Sequence, residues 1–409
     1  MPSVEGDRTR KGVHTHRPVC HAPSDKVTET PPGTPAPTPV PLNYWWQRLR
    51  GDWLFWSLLA LVALLGLIDP RRIPGFPALV DWHTIVLLAG LLILTRGLEE
   101  SGALHRLARA VLARVRTERS LALVLVLVAA GLSTVITNDV ALFVVVPMTL
   151  SLRGHGKALV AKLVIFQALA VNAGSALTPI GNPQNIFLWQ HSGASAGEFI
   201  LAMLPIVAIM MAGLIFLTFV AFRPRPLSID PSGRRPFGRS LLSISLALYA
   251  PFLVLAGAGL RGLGLLLVFA VFAFASRSAL TRVDWPLLAI FALMFIAFRL
   301  VADLAFVQAT LGDMARSGPL GLFFGGALIS QFVSNVPAAI VLAEFSADWR
   351  TVAWGVSVGG FGTAVASLAN IIALRMLGER KAWWTFHLYA VPFLLASGLA
   401  GAALTWWMS

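Results

Sequence analysis

Apolar stretches of roughly 20 residues recur along most of this chain, and a helix of that length spans the hydrocarbon core of a bilayer, about 30 Å thick. Hydrophobic residues make up 57% of the 409 residues and charged residues only 12%, whereas a soluble domain carries about 25% charged residues. The chain therefore has too few charges to cover a water-exposed surface. The sequence predicts an all-α polytopic membrane protein whose first partner is the lipid bilayer.

Nine of the apolar segments are predicted to cross the membrane. They are the segments 52–69, 80–98, 157–190, 197–222, 240–257, 259–277, 284–302, 350–378 and 384–408.

Two further apolar stretches, about 120–150 and 318–347, each carry polar residues at the middle. These are Thr137-Asn138-Asp139 in the first and Ser334-Asn335 in the second. Irregular backbone survives at membrane depth only where it is buried in protein or lines a cavity. Each stretch is therefore predicted to be a re-entrant hairpin, two half-helices that enter and leave on the same side.

The distribution of basic residues predicts the orientation. With the N-terminus in the cytoplasm and the hairpins counted as no crossing, 26 of the 32 Lys and Arg residues fall inside. This bias is the one expected of a membrane protein with an inside N-terminus and an outside C-terminus. The net charge of +13 is thus explained by topology, and no nucleic-acid partner is expected. The predicted location is the cell inner membrane.

Residues 1–43 differ from the rest of the chain. They contain a proline-rich run, 30–41, that cannot pack a core, and the chain's single cysteine, Cys20, which excludes an internal disulfide. We predict a disordered cytoplasmic tail at 1–43 and a first repeat at 44–239 with a cytoplasmic-side hairpin. A linking helix and a second repeat with an outer-side hairpin follow at 240–409.

The two repeats are recognised by three blocks that recur in the same order. In the first block, Asp81-Trp82 followed by Arg96 matches Asp284-Trp285 followed by Arg299. In the second, the stretch from Ser133 to Asn138 matches the stretch from Ser330 to Asn335. In the third, Gly174-Ser175-Ala176 followed by Asn182 matches Gly362-Thr363-Ala364 followed by Asn370. The extra helix at 240–257 inverts the second repeat. Inverted repeats with broken helices are typical of secondary transporters, whose site lies near the midplane. Two amphipathic segments, 103–116 and 303–316, are predicted to be interfacial arms.

The hairpin tips predict a site for a coupling ion. Their side chains offer amide and hydroxyl oxygens, which are hard ligands suited to a small cation. The residues concerned are Ser133, Thr137, Asn138, Asp139, Ser330, Ser334 and Asn335.

Asp139 is the acidic residue placed at a hairpin tip, where the second repeat has Val336. A carboxylate within the membrane is a functional candidate. Asp139 could bind Na⁺ or carry a proton. The alternative is that it caps the returning half-helix.

Two predicted spans contain breaks rich in polar residues, at 172–185 and 359–370. Glycine and proline interrupt a helix and free backbone groups, while amides and hydroxyls surround the break. Together with the hairpin tips these breaks form the predicted substrate site. Its residues are Asn138, Asn172, Ser175, Thr178, Asn182, Asn185, Asn335, Thr363 and Asn370.

Other chemistry has no sequence support. There is no Walker A motif and no HExxH or other histidine spacing for a metal, and no nucleophile with a partner triad. We expect no enzyme activity, no cofactor and no resident metal, with Na⁺ or H⁺ as the only coupling ion.

The stretches TNDVALFVVVP, NAGSALTPIGNPQNIFLW and SNVPAA resemble the ion transporter superfamily over about residues 50–409. That group includes citrate and dicarboxylate transporters, arsenite permeases and some sodium–proton antiporters, and the chain looks most like its anion-permease branch. The resemblance implies an elevator mechanism, a homodimer held by a scaffold domain, and two cation sites. The matching residues are Ser133, Thr137, Asn138 and Gly174 for one site and Ser330, Ser334, Asn335 and Gly362 for the other.

The hairpin tips depart from the Ser-Asn-Thr of the sodium-coupled carboxylate branch. They read Thr-Asn-Asp and Ser-Asn-Val here, which favours proton coupling or one cation fewer and argues against a dicarboxylate. The sequence thus predicts ion-coupled transport of a small anion or oxyanion. The alternatives are arsenite or antimonite efflux, a sodium–proton antiporter, and a channel.

Overall fold

The computed structural model describes residues 50, 52–104, 106, 110, 115–150, 152, 154, 156–227 and 237–408. Helices dominate these ranges, and the extended pairing within them is a single bridge between Thr117 and Pro226. The predicted tail at 1–43 and most of the predicted arm at 103–116 lie outside the described residues.

The helices of the first repeat follow the predicted segments closely. They are α1 (Trp53–Ile68), α2 (Phe76–Leu79), α3 (Trp82–Glu100), α4 (Glu118–Val135), α5 (Asn138–Leu150), α6 (Lys157–Ser175), α7 (Pro183–Ser192) and α8 (Ala196–Ala221), with a 3₁₀ turn at Pro70–Gly75.

The linking helix and the second repeat complete the bundle. Their helices are α9 (Arg239–Gly257), α10 (Arg261–Ala275), α11 (Arg277–Thr281), α12 (Trp285–Ala302), α13 (Ala305–Arg316), α14 (Pro319–Val333), α15 (Asn335–Ala343), α16 (Trp349–Gly359), α17 (Leu368–Leu377) and α18 (Arg380–Met408). The predicted segment 303–316 is thus a separate helix, α13.

Side chains in the loops determine where several helices begin. The carboxylate of Asp81 accepts hydrogen bonds from the backbone N–H groups of His83 and Thr84 at the start of α3. A capping box joins Ser195 and Glu198 at the start of α8. Because the first N–H groups of a helix have no partner within it, these acceptors stabilise the helix ends.

Seven of the described helices are long and apolar enough to cross a membrane: α3, α4, α6, α8, α9, α12 and α18. The helices α1 and α10 are apolar but shorter. Two of the predicted crossings are interrupted: 157–190 comprises α6 and α7, and 350–378 comprises α16 and α17. The glycines of both segments, and the prolines of the first, predicted these breaks. The prediction of an all-helical polytopic membrane protein is confirmed.

Both predicted hairpins are present. The arms α4 and α5 contact each other, as do α14 and α15, and the chain turns at Ile136-Thr137 in one and at Ser334 in the other. Ser334 has φ of 78°, and it is the one non-glycine residue with a positive φ in the described chain. That conformation is costly for a residue with a Cβ, so the tip of the second hairpin is a strained turn.

The packing follows the two-fold relation of the repeats. Helix α1 of the first repeat packs on α12 of the second, and α10 of the second packs on α3 of the first. The second arm of each hairpin likewise packs on a helix of the other repeat: α5 packs on α17, and α15 packs on α7. Such reciprocal pairs are what a pseudo-two-fold axis produces, and they surround the two breaks.

Candidate functional site

The tip of the first hairpin lies against the break between α6 and α7. The backbone N–H of Asn138 donates to the carbonyl of Gly181 at 2.8 Å, and the phenol of Tyr249 on α9 donates to the carbonyl of Val135. A Cβ on Gly181 would meet the carbonyl oxygens of Ser175 at 2.2 Å and Ser133 at 2.8 Å. Backbone carbonyls from the hairpin and from the break therefore converge at Gly181.

One asparagine holds the first break in shape. The amide of Asn185 donates to the carbonyls of Ser175, Ala176 and Thr178 at 3.2, 3.0 and 3.0 Å. Its backbone N–H is accepted by Asn182 Oδ1 at 2.8 Å, which caps α7. Asn185 and Asn182 thus satisfy backbone groups that the interrupted helix leaves open.

The second break repeats this arrangement. The amide of Asn370 donates to the carbonyls of Gly360 at 2.9 Å and Thr363 at 3.3 Å. The hydroxyl of Thr363 donates to the carbonyl of Gln331 at 3.0 Å, as Thr178 donates to Thr134 at 2.7 Å in the first repeat. The two breaks are therefore built on the same plan.

These contacts correct the third block of the repeat. Asn370 corresponds to Asn185 and not to Asn182, and Thr363 corresponds to Thr178. The sequence pairing of Gly174 with Gly362 was wrong by three residues. The second break contains three glycines, and the pairing chose the wrong one of them. The cation role of Gly362 stays a prediction. A Cβ there would lie 2.4 Å from Gln331 Oε1.

Gly174 and Gly359 are the corresponding glycines. A Cβ on Gly174 would lie 2.3 Å from the carbonyl oxygen and 2.6 Å from the Cα of Ala130. A Cβ on Gly359 would lie 2.9 Å from the Cα of Ala327. In each repeat a hairpin arm and a broken helix approach so closely that only glycine fits.

Gly174→Ala is accordingly expected to lower stability by at least about 1–3 kcal/mol, the usual cost of overpacking a core. The neighbouring contact is backbone, which cannot rotate away. Gly131→Ala is the matched control, since a Cβ there meets nothing within 4 Å and alanine favours a helix over glycine by about 1 kcal/mol. Thermal unfolding of both variants in detergent measures the difference, and equal midpoints would contradict the close approach.

The two breaks are joined directly by a group of polar side chains. Asn172 Nδ2 donates to Asn370 Oδ1 at 2.8 Å, and the hydroxyl of Ser367 donates to Asn172 Oδ1 at 2.9 Å. A Cβ on Gly360 would lie 3.1 Å from Asn335 Nδ2 and 3.8 Å from Asn172 Cγ. The second hairpin tip therefore reaches this buried group, which we call the central lock (Asn172, Ser367, Asn370).

The hydrogen bonds of the central lock are missing at the position related to it by the pseudo-two-fold axis. Ser357 stands where the first repeat has Asn172, and Asn185 stands where the second has Asn370. Both Ser357 Oγ and Asn185 Oδ1 are buried and have no hydrogen-bond partner among the described residues. A serine side chain is shorter than an asparagine side chain, so the contact made on one side of the axis is missing on the other.

Asp139 is the one charged side chain among the buried residues of the described ranges, at 6% exposure. Its backbone N–H donates to Asn138 Oδ1 at 3.0 Å. Its Oδ1 is buried without a hydrogen-bond partner in the described chain. Asp139 thus has an open acceptor and no basic side chain beside it among the buried residues.

Four half-helices begin at this site, namely α5, α7, α15 and α17. The bond from Asn138 to Gly181 joins the first pair, and the central lock ties the second pair to the first. A helix N-terminus presents N–H groups and the positive end of the helix dipole. The site therefore offers positive potential from backbone rather than from Lys or Arg side chains.

The structure brings the predicted site residues together. All are buried except Thr178, Ser334 and Thr363, which are half-buried. Ser133 and Ser330 each donate a side-chain hydroxyl to a carbonyl of their own arm, Ala130 and Gly326 respectively. Gly181 and Ser367 lie within the two predicted breaks but were not assigned to the site. Tyr249 was missed, and no sequence signal points to it because it comes from the linking helix.

Comparison with known proteins places the chain among transporters. The sequence model of the citrate transporter family matches residues 46–359. The inner membrane protein YbiR of Escherichia coli K12 is 44% identical over 88% of this chain and 96% of its own length. An uncharacterized transporter of Methanocaldococcus jannaschii is 30% identical over 79% of this chain and 88% of its own. Another, from Mycobacterium tuberculosis H37Rv, is 26% identical over 80% and 86%.

Proposed function

Because this chain belongs to the citrate transporter family, and is thus a multi-pass transporter of the inner membrane rather than an enzyme, we propose that it carries a small anion by secondary active transport. The cargo is coupled to Na⁺ or H⁺. The observation that carries this proposal is the meeting of four half-helix N-termini with the buried carboxylate of Asp139, whose Oδ1 has no hydrogen-bond partner in the described chain.

The anionic cargo follows from the helix ends. Backbone N–H groups at helix N-termini bind carboxylate, phosphate and sulfate groups without a basic side chain. The amides of Asn138 and Asn335 lie at the tips of the two hairpins and are both 3% exposed. We propose that both donate to the same anion.

The coupling ion follows from the acceptors. Asp139 Oδ1 and Asn185 Oδ1 are buried acceptors without a donor in the described chain. A buried acceptor left unsatisfied costs about 1–3 kcal/mol, and more for a charged one. A proton or Na⁺ at Asp139 supplies the missing positive charge, and it also offsets the negative charge of the cargo. The converging carbonyls of Ser133 and Ser175 suit a cation beside it.

The mode of transport is proposed to be an elevator within a homodimer, as the family resemblance implies. Few polar contacts tie the hairpins to the surrounding helices α3, α9 and α12. Tyr249 binds the first hairpin at Val135, and Arg299 Nε binds Glu344, just after the second hairpin, at 3.0 Å. Contacts this few can be exchanged when the hairpins move together.

Thermal unfolding of the purified protein against a panel of ligands tests the proposal. The panel is citrate, succinate, sulfate, phosphate, arsenite, Na⁺, Li⁺ and pH. A ligand at 100 times its Kd adds about 2.7 kcal/mol to the native state. We expect one anion to raise the midpoint, more strongly with Na⁺ or at lower pH, and Asn138→Ala to remove the shift. Ser243→Ala, at an exposed residue of α9, is the control and should keep it.

Two outcomes would redirect the proposal. A shift from Na⁺ or pH alone, with no anion effect, favours the sodium–proton antiporter, for which Asp139 is the ion site. A shift from arsenite in preference to the charged anions favours arsenite or antimonite efflux.

A further inference from the structure

A polar cavity of about 400 Å³ is lined by residues outside the central site. It is lined by the start of α3, the last turn of α7 and Arg299 of α12. None of the residues assigned above to the cargo or the coupling ion lines it. Its polar side chains are Asp81, His83, Gln190, His191 and Arg299, and we call it the Arg299 pocket.

The carboxylate of Asp81, in the Arg299 pocket, already accepts hydrogen bonds. Asp81 accepts hydrogen bonds from the backbone N–H groups of His83 and Thr84 at 3.0 and 3.2 Å, and from the Thr84 hydroxyl at 3.0 Å. As the cap of α3 its negative charge lies at the positive end of that helix dipole. Donors therefore dominate the remaining wall.

Arg299 is held by groups from outside the pocket. Its Nη1 donates to the carbonyl of Leu79 at 2.7 Å, and its Nε donates to Glu344 at 3.0 Å. Arg299 and Glu344 keep 23% and 39% of their side chains exposed. An exposed pair of this kind contributes little stability, so a competing anion can displace the glutamate.

Gln190 adds an amide side chain to the pocket. Its Oε1 is buried, and it has no hydrogen-bond partner among the described residues. The side-chain N–H groups of Gln190, a residue that lines the pocket, can donate to an anion held by the guanidinium of Arg299, which forms bidentate bonds with carboxylate and oxyanion groups. A small carboxylate or oxyanion can accept hydrogen bonds from both side chains.

We propose that the Arg299 pocket binds a small carboxylate or oxyanion, which replaces Glu344 as the partner of Arg299. Binding then frees the residue that follows the second hairpin from α12. The pocket is thus a second anion site, whose occupancy loosens the contact between the hairpin and its surrounding helices. The proposal of this second anion site holds whichever anion is the cargo.

The test uses the chain's single cysteine. In a Cys20→Ser background, His191→Cys places one thiol in the pocket of the full chain purified in detergent. The rate of modification is compared between an anionic and a cationic methanethiosulfonate reagent of similar size. Gly257→Cys is the reference, because Gly257 is exposed and a side chain there meets nothing within 4 Å.

We expect the ratio of anionic to cationic rates to exceed that of the reference site by about fivefold or more, since the guanidinium of Arg299 and the donors beside it hold an anion in preference to a cation. Sulfate and succinate should slow the anionic reagent at His191→Cys and not at Gly257→Cys. Arg299→Gln should lower the ratio, and Glu344→Gln should raise it. These shifts have opposite signs, which loss of folding cannot produce. Equal ratios at the two sites, absence of protection by both anions, or shifts of the same sign would overturn the proposal.

Discussion

Asp139→Asn is expected to abolish concentrative, ion-driven uptake. The asparagine has nearly the shape of aspartate but can neither carry a proton nor neutralise Na⁺, so no ion gradient can be coupled to the cargo. The measurement is accumulation of the anion identified by the unfolding panel in proteoliposomes, under an imposed Na⁺ or pH gradient. Uptake should fall to the level set by equilibration.

Exchange without a gradient separates coupling from folding. Asp139→Asn should still exchange labelled for unlabelled cargo, because Asn138, Asn335 and the helix N-termini are unchanged. Asp313→Asn is the matched control, since its side chain is 75% exposed, and it should behave like the parent protein. Normal gradient-driven accumulation by Asp139→Asn would remove Asp139 from the mechanism.

Asn172→Ala is expected to have the largest effect on stability. It leaves Asn370 Oδ1 without its donor and the Ser367 hydroxyl without its acceptor, both buried. Each such group costs about 1–3 kcal/mol, and the two breaks lose their direct connection. Thermal unfolding in detergent should show the loss, and uptake in proteoliposomes should be absent or severely reduced.

A double-mutant cycle assigns the effect to the pair. Asn172→Ala and Asn370→Ala should be strongly non-additive, because each removes the same bond. Ser357→Ala is the control. It occupies the corresponding position in the second repeat, but its hydroxyl has no partner in the described chain, so its removal should cost little. Additive losses from Asn172 and Asn370 would mean that the lock does not join the repeats energetically.

The hairpins and broken helices were predictable because their signals are local. Polar residues at membrane depth, such as Asn138 and Asn335, have few tolerated environments. Glycine and proline between 174 and 183 similarly require an interrupted helix. Each of these features can be read from a window of about 15 residues, and each was found where the sequence placed it.

The register of the second break was not predictable in the same way. Three glycines, Gly359, Gly360 and Gly362, offer competing matches to Gly174, and the amide of Asn370 resembles both Asn182 and Asn185. Only the hydrogen bonds to the carbonyls of Gly360 and Thr363 decide between them. The central lock joins residues almost 200 positions apart, and no local pattern reports such a contact.

The exchange of helices between the repeats also bears on how the protein is made. Helix α1 has its packing partner in α12, and α3 has one in α10, and both partners are synthesised much later. While the ribosome is still translating the second half, the inserted first half must leave these surfaces facing lipid or membrane chaperones. Neither half can therefore bury these surfaces by itself, and they are covered only when the second repeat has been inserted.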